Sequence, residues 1–204
     1  MRIITGRAKG LRLKTPAGLS TRPTSDRIKE SLFSILSGLI NFSEVGAVLD
    51  IFAGTGALGL ESISRGSRSA TFIDVATTEI IRDNATRAKF IGECKILRGD
   101  FEKILPRLAG QDNKIKRLED QKIGSDNLSS TFGLIFSDPP YDKGLAQKSL
   151  QLIADLNLLS ADGLIIIEHG AEEILDTLPN FELVRKIIYG HTTAIEIFER
   201  KLLK

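Results

Sequence analysis

The chain has 204 residues, of which 42% are hydrophobic, and its formal net charge is +2. This length fits one domain with at most a small appendage, and the apolar content is ample for a core. We expect a cytoplasmic protein that works without a membrane or a metal. No apolar run approaches a membrane span, and the first residues do not resemble a signal peptide. Cys94 is the sole cysteine, and His169 and His191 lack metal-ligand spacing.

The amino-terminal segment is basic. Residues 1–30 hold eight basic and two acidic residues, so they carry +6 and leave −4 for the rest of the chain. A basic amino-terminal segment followed by a mildly acidic chain is typical of proteins that bind a phosphate backbone. Most runs of charge, however, are only solvated surface. We predict that Arg7, Lys9, Arg12, Arg22 and Arg27 contact the phosphates of a nucleic acid.

Two elements are predicted in this segment. Short apolar runs at 3–5 and 11–13 flank Gly6 and Gly10, which favours a β-hairpin. A helix is expected to follow, with Thr24 or Ser25 as its N-cap. Its apolar stripe comprises Ile28, Leu32, Ile35, Leu36 and Leu39.

Strands and helices then alternate, which predicts a doubly wound sheet. Parallel strands are predicted at 48–52, 70–75, 94–97, 132–136 and 164–168, and a terminal antiparallel hairpin at 181–189 and 193–198. Helices are predicted at 57–65, 77–91, 101–108 and 145–156. The polar stretch at 110–131 lacks periodicity and is interpreted as an insertion.

A glycine-rich loop follows the first of these strands. Gly54, Gly56 and Gly59 satisfy G-x-G-x-x-G, and an acid, Asp74, follows about 20 residues later, as in dinucleotide sites. Asp50, just before the loop, would repel a pyrophosphate but attract a cation. The pattern therefore favours S-adenosylmethionine over NAD, with an NAD oxidoreductase as a distant alternative. The predicted cofactor residues are Asp50, Phe52, Ala53, Gly54, Gly56, Asp74 and Asp100.

The tetrapeptide Asp138, Pro139, Pro140 and Tyr141 closes the apolar run at 132–136. The prolines end the strand and hold a stiff turn at its carboxyl end, where open α/β sheets bind ligands. Carboxylate and carbonyl oxygens can accept the hydrogens of an exocyclic amine while the base stacks on tyrosine. We predict these four residues as catalytic; the alternative is a strand-ending turn with a surface tyrosine.

Three segments together resemble the bacterial RsmD family of small-subunit ribosomal RNA guanine-N2 methyltransferases. They are Arg-Pro-Thr-Ser-Asp-Arg at 22–27, the glycine-rich segment at 49–61, and Asp-Pro-Pro-Tyr at 138–141. The similarity runs from Met1 to near Arg200. Three features depart from the family pattern: Asp74 replaces a frequent glutamate, Gly133 and Ser137 flank the catalytic strand, and the insertion at 110–131 is long.

The resemblance implies a Rossmann-like class I methyltransferase fold, with a seven-stranded, mostly parallel sheet and a small amino-terminal hairpin and helix. Residues 1–40 would form an RNA-binding extension, and 41–204 the methyltransferase domain. The implied reaction transfers a methyl group from S-adenosylmethionine to the N2 amine of one guanine, of the position-966 type, in 16S rRNA of the small subunit. The protein is expected to be monomeric.

Two other functions remain open. Adenine presents a similar amine, so a DNA adenine-N6 methyltransferase is the nearest rival, although this short chain has no room for a separate target-recognition domain. A non-catalytic RNA-binding assembly factor is the other, and the intact Asp138 and glycine loop count against it.

Overall fold

The computed structural model describes residues 1–16, 23–110, 131–141 and 143–201, with the backbone alone for residues 23–25. In chain order the elements are α1 (Pro23–Leu39), β1 (Ala47–Ile51), α2 (Ala57–Arg65), β2 (Ser69–Asp74), α3 (Thr78–Arg87), a 3₁₀-helix (Ile91–Glu93), β3 (Cys94–Arg98), α4 (Phe101–Leu108), β4 (Phe132–Ser137), α5 (Leu145–Asp155), β5 (Leu159–Gly170), β6 (Phe181–Tyr189) and β7 (Thr193–Arg200). Arg22 and residues 111–130 of the predicted insertion lie outside the described residues.

The seven strands form one sheet in the order β3-β2-β1-β4-β5-β7-β6. Strands β1 to β5 are parallel, whereas β7 runs antiparallel to both β5 and β6. The Rossmann-like, mostly parallel sheet with a terminal antiparallel hairpin is therefore confirmed. The strand order reverses between β1 and β4, and ligands bind at such a point in open α/β sheets.

Each face of the sheet has its own apolar core, because successive strand residues point to opposite faces. In β4, Leu134 and Phe136 belong to the core that α1, α2 and α3 cover, and Ile135 to the core that α4 and α5 cover. Helix α4 forms although it contains Pro106. Its buried Phe101, Ile104 and Leu105 offset the missing hydrogen bond.

Two helix ends differ from the sequence prediction. Helix α1 begins at Pro23, so Thr24 and Ser25 lie in its first turn and are not N-caps; proline suits the first helical position, where its absent N–H would have no partner. Helix α3 ends at Arg87, not at residue 91. Lys89 has a φ of 63°, and the Phe90 N–H turns back to the Ala85 carbonyl, which closes the helix four residues early.

Strand β5 is longer than predicted, with twelve residues from Leu159 to Gly170. Its pairing with β4 shifts between Phe132 and Leu134, so the strand begins before the irregular stretch and continues after it. Within the described ranges, no helix is long and apolar enough to cross a membrane.

The amino-terminal hairpin is present and packs on the main body. Arg2 and Arg12 form an antiparallel bridge, and the Ile3 N–H donates to the Leu11 carbonyl at 2.9 Å. Ile3 is fully buried in the core that also contains Val48 of β1. The hairpin and the sheet therefore share one core. The separate role of residues 1–40 stays a prediction.

A buried carboxylate ties the hairpin to α2. Glu61 is fully buried and accepts hydrogen bonds from the N–H groups of Ile4 at 2.7 Å and Thr5 at 3.0 Å. Lys29 of α1 lies 3.3 Å from one of its oxygens, and Arg65 lies 2.9 Å from the other. Glu61 thus connects the hairpin, α1 and α2 at a single point.

Candidate active site

The glycine loop between β1 and α2 adopts a backbone that side chains rarely allow. Phe52, Gly54 and Gly56 have φ values of 61°, 55° and 76°. The Ala53 N–H donates to the Ile73 carbonyl of β2 at 3.0 Å, which fixes the loop against the neighbouring strand. A non-glycine residue in the left-handed region is uncommon, and such conformations concentrate at functional sites. Here it turns Phe52 towards the carboxyl edge of the sheet, where the residue lines two cavities.

The third glycine has a packing role. A Cβ at Gly59 would lie 2.4 Å from the Phe72 ring, so α2 can approach β2 this closely only with glycine there. The Gly59 N–H donates at 2.9 Å to the carboxylate of Asp50. Burial raises the pKa of Asp50 to about 7, although the Gly59 hydrogen bond opposes the shift. Asp50 also lines the larger of the two cavities.

That larger cavity has a volume of about 410 Å³ and lies between α1 and the carboxyl edge. Its walls include the glycine loop, Asp138 and Glu168, together with Ile28, Lys29 and Leu32 of α1. The glycine loop and Asp138, which belong to two of the predicted sites, therefore meet in one cavity. Lys29, which the sequence analysis missed, is 3% exposed and donates to the Arg2 carbonyl. Burial lowers the pKa of Lys29, and Glu61 partly offsets this effect.

The smaller cavity, of about 240 Å³, lies beside β2 and α4. Asp74, Asp100 and Pro140 line it, together with Phe52 and Phe101, whose ring centroids are 4.8 Å apart. The predicted Asp74 and Asp100 thus share a cavity next to the one that contains Asp138.

Asp74 and Asp100 both accept backbone hydrogen bonds. Burial alone would raise the pKa of Asp74, but the N–H groups of Ala76, Thr77 and Gly54 hold it below its ordinary value. Those three donors lie 2.7 to 3.0 Å from its carboxylate oxygens. Asp100 is the N-cap of α4 and accepts from the Glu102 N–H at 2.8 Å. Asp74 therefore stays ionised and held in place at the cavity wall.

Asp138 lies just beyond β4 and faces the larger cavity. It is surrounded by protein on most sides but remains open to solvent through the cavity. Enclosure raises its pKa well above the ordinary value, and the nearby carboxylates of Glu168 and Asp50 add to the shift. Pro139 is buried, whereas Pro140 is exposed at the smaller cavity. The turn thus joins the two cavities.

The hydroxyl of Tyr141 is held by the neighbouring strands. It donates to Oε1 of Glu168 in β5 at 2.7 Å and lies 3.1 Å from Oγ1 of Thr193 in β7. Burial, together with Glu168, raises the pKa of Tyr141. Sequence reasoning missed Glu168 and Thr193. Glu168 was detectable, because it is an acid at the carboxyl end of a predicted strand, as Asp74 is.

The predicted RNA-binding residues differ in their contacts with the rest of the protein. Lys9, Arg12 and Arg27 are exposed. Arg7 is also exposed but is engaged: its guanidinium lies 2.5 Å from Glu93 and 4.6 Å from the centre of the Phe90 ring. A phosphate at Arg7 would have to compete with these contacts.

Known proteins are similar to this chain over nearly its whole length. The family described as "Conserved hypothetical protein 95" matches residues 1–198. The chain belongs to this family. It is similar to "Putative rRNA methyltransferase YlbH" of Bacillus subtilis, 32% identical over 204 residues that cover 98% of this chain and 100% of the relative.

Two further comparisons agree with this one. "Ribosomal RNA small subunit methyltransferase D" of Escherichia coli is 30% identical over 205 residues, which cover 98% of this chain and 90% of the relative. The solved structure "Putative methyltransferase yhhF from Escherichia coli" is 30% identical, covers 98% of both chains and superposes with a TM-score of 0.76. The resemblance to the RsmD family and the methyltransferase fold are thereby confirmed.

Proposed function

We propose that this protein transfers a methyl group from S-adenosylmethionine to the N2 amine of one guanine in 16S rRNA of the small ribosomal subunit. One observation carries the proposal: the Asp138 carboxylate and the backbone of the glycine loop line the same cavity. The names of the relatives, which include a small-subunit rRNA methyltransferase, support the rRNA substrate. Such a substrate would also place the protein in the cytoplasm.

The described residues fit S-adenosylmethionine. Backbone N–H groups hold the Asp74 carboxylate at the wall of the smaller cavity, where it can accept a hydrogen bond from a ribose hydroxyl. Phe101 and Val75 offer apolar surface in the same cavity for an adenine. The positive charges of the methionine end would favour the ionised form of Asp50. The adenosine would thus occupy the smaller cavity, and the methionine end the larger one beside Gly54.

Asp138 of the larger cavity and Pro139, the next residue of the turn, would prepare the amine for reaction. The lone pair of a guanine amine is delocalised into the ring, so the amine is a weak nucleophile. Asp138 and the Pro139 carbonyl would each accept one amine hydrogen and orient the nitrogen. S-adenosylmethionine, when bound, supplies an electrophilic methyl group. The gain comes from orientation and electrostatics.

One amine proton must leave once the nitrogen–carbon bond forms. The raised pKa of Asp138, caused by enclosure and by Glu168, makes it a stronger base than an ordinary carboxylate. Asp138 is therefore suited to accept that proton. The target guanine must leave its stack to reach the cavity, as in other enzymes that modify bases.

Methyl transfer to purified small subunits tests the proposal. The subunits come from cells that lack this protein, and S-adenosylmethionine carries a radiolabelled methyl group. We expect the label in N2-methylguanosine after nucleoside analysis of the 16S rRNA. Label in N6-methyladenine of DNA would instead support the adenine methyltransferase, and no transfer to either substrate would remove the enzymatic assignment.

A further inference from the structure

Glu168 is a third carboxylate in the proposed base-binding cavity, beside Asp50 and Asp138. It lies near the carboxyl end of β5, half-buried, and lines the 410 Å³ cavity together with Asp138. The two groups are close enough that Glu168 raises the pKa of Asp138. Two neighbouring carboxylates repel each other, so a ligand that donates hydrogen bonds to both would relieve an unfavourable contact.

The two oxygens of Glu168 have different surroundings. Oε1 accepts the hydrogen bond from Tyr141, whose hydroxyl also lies next to Thr193. This contact fixes the carboxylate group between β5, β7 and the Asp-Pro-Pro-Tyr turn. Among the residues that the structure describes, none is observed to donate to Oε2. The group is therefore held in place with one acceptor oxygen still available.

The acceptors of Asp138, Pro139 and Glu168 match the donors of guanine in number. The Watson–Crick edge of guanine carries three N–H hydrogens, two on the N2 amine and one on N1. Asp138 and the Pro139 carbonyl, in the function proposed above, take the two amine hydrogens. Glu168 supplies the third acceptor. Adenine differs at this point, because its N1 is an acceptor and would face the carboxylate with a lone pair.

We infer that Glu168 is the residue that selects guanine, by accepting the N1–H of the target base through Oε2. This inference rests on the proposed function and adds a substrate-contacting residue to it. It also accounts for the connection to Tyr141, which positions the selecting carboxylate at the same time as it holds the turn. A site that hydrogen-bonds a substrate N–H rejects analogues that lack it, because its own polar group is then left unpaired.

The test compares guanine with 2-aminopurine, which keeps the N2 amine but has no hydrogen on N1. The acceptor guanine is first mapped as N2-methylguanine in the 16S rRNA. Small subunits are then reconstituted with either base at that position, and kcat/KM is measured for both. We expect the wild-type protein to prefer guanine by at least about tenfold.

The variant Glu168→Met, which offers no strong acceptor, should reduce this preference to within about threefold of equality. 2-Aminopurine also lacks the O6 of guanine. A preference that arises from O6 persists in Glu168→Met, so the difference between the wild type and this variant isolates the contribution of Glu168. Tyr141→Phe keeps the carboxylate but removes the hydrogen bond that positions it, so the preference for guanine should fall by less than it does in Glu168→Met. Affinity for S-adenosylhomocysteine verifies that each variant is folded.

If Glu168→Met no longer binds S-adenosylhomocysteine, Glu168→Gln is used in its place. The amide oxygen of this variant can keep the hydrogen bond from Tyr141. The neutral side chain of Glu168→Gln should lower the ratio of kcat/KM for guanine to kcat/KM for 2-aminopurine by at least about threefold. Equal use of both bases by the wild type, or an unchanged preference in the Glu168 variants, would overturn the role of Glu168 alone. Failure of the wild type to form any N2-methylguanine would instead overturn the proposed function.

Discussion

Asp50 is a buried carboxylate whose pKa lies near neutrality, at about 7, because burial disfavours its charge. In the free protein this raised pKa favours folding below the unfolded pKa, and the contribution is lost as the pH rises through about 7. Burial favours the protonated form of Asp50, whereas a cationic ligand favours the ionised form, since it interacts best with the charged carboxylate. Asp50 therefore couples cofactor binding to pH.

We expect the affinity for S-adenosylmethionine to weaken as the pH falls from 8 to 6, by up to about tenfold. In Asp50→Asn the side-chain oxygen can still accept from Gly59, but no charge remains. Its affinity should be lower at pH 8 and nearly independent of pH. Isothermal titration of both proteins across this range measures the effect. Parallel pH profiles would assign the dependence to another group.

Asp138 contacts the base and not the cofactor in the proposed reaction. Asp138→Ala should lower kcat by at least about 100-fold, because one of the two orienting acceptors is lost. The affinity for S-adenosylhomocysteine should change by less than about threefold, and the thermal stability should be maintained, since the substitution removes a crowded charge. Substantial transfer by Asp138→Ala would contradict this mechanism.

At the scale of elements, Glu61 joins the amino-terminal hairpin to α1 and α2. The substitution Glu61→Ala leaves the buried Lys29 without its ionic partner and frees two backbone N–H groups. We expect a loss of about 3–5 kcal/mol in the free energy of unfolding, measured by urea denaturation. The cavity should also be affected, because Lys29 forms part of its wall.

Glu79→Ala is the matched control for this prediction. The Glu79 side chain is 82% exposed, and its distance to Arg82 is 3.9 Å. An exposed pair of this kind contributes about 0–1 kcal/mol, so the variant should unfold almost as the wild type does. Equal effects of the two substitutions would mean that the buried network does not hold the hairpin.

At the scale of the whole molecule, the positive charge is concentrated in the first 30 residues. Of the predicted RNA contacts in the described chain, Lys9, Arg12 and Arg27 are exposed, whereas Arg7 is paired with Glu93. Replacing the three exposed residues by glutamine should weaken binding to small-subunit RNA. Each lost phosphate contact should reduce the slope of log affinity against log salt by roughly 0.7 to 0.9.

A second triple variant, with Lys103, Arg185 and Lys201 changed to glutamine, removes the same charge from exposed positions on other elements. A general effect of net charge would alter RNA binding equally in both variants. A specific interface would alter it only in the first. Cofactor affinity should remain unchanged in both, which separates RNA binding from folding.

The sequence by itself determined the alternation of elements, the doubly wound sheet and the edge at which the site lies. These features depend on local information: apolar periodicity, glycines at turns, and the rule that the carboxyl ends of parallel strands share one edge. For this reason Asp50, Gly54 and Asp138 could be assigned to one region, and they line one cavity.

Only the tertiary structure decided which groups are partners. Tyr141 bonds to Glu168, 27 residues away; Arg7 bonds to Glu93, 86 residues away; and Ile4 bonds to Glu61, 57 residues away. No local pattern encodes such pairs, because they arise when distant elements pack against one sheet. The early end of α3 at Arg87 has a related cause, since the chain turns there to bury Phe90 in the core.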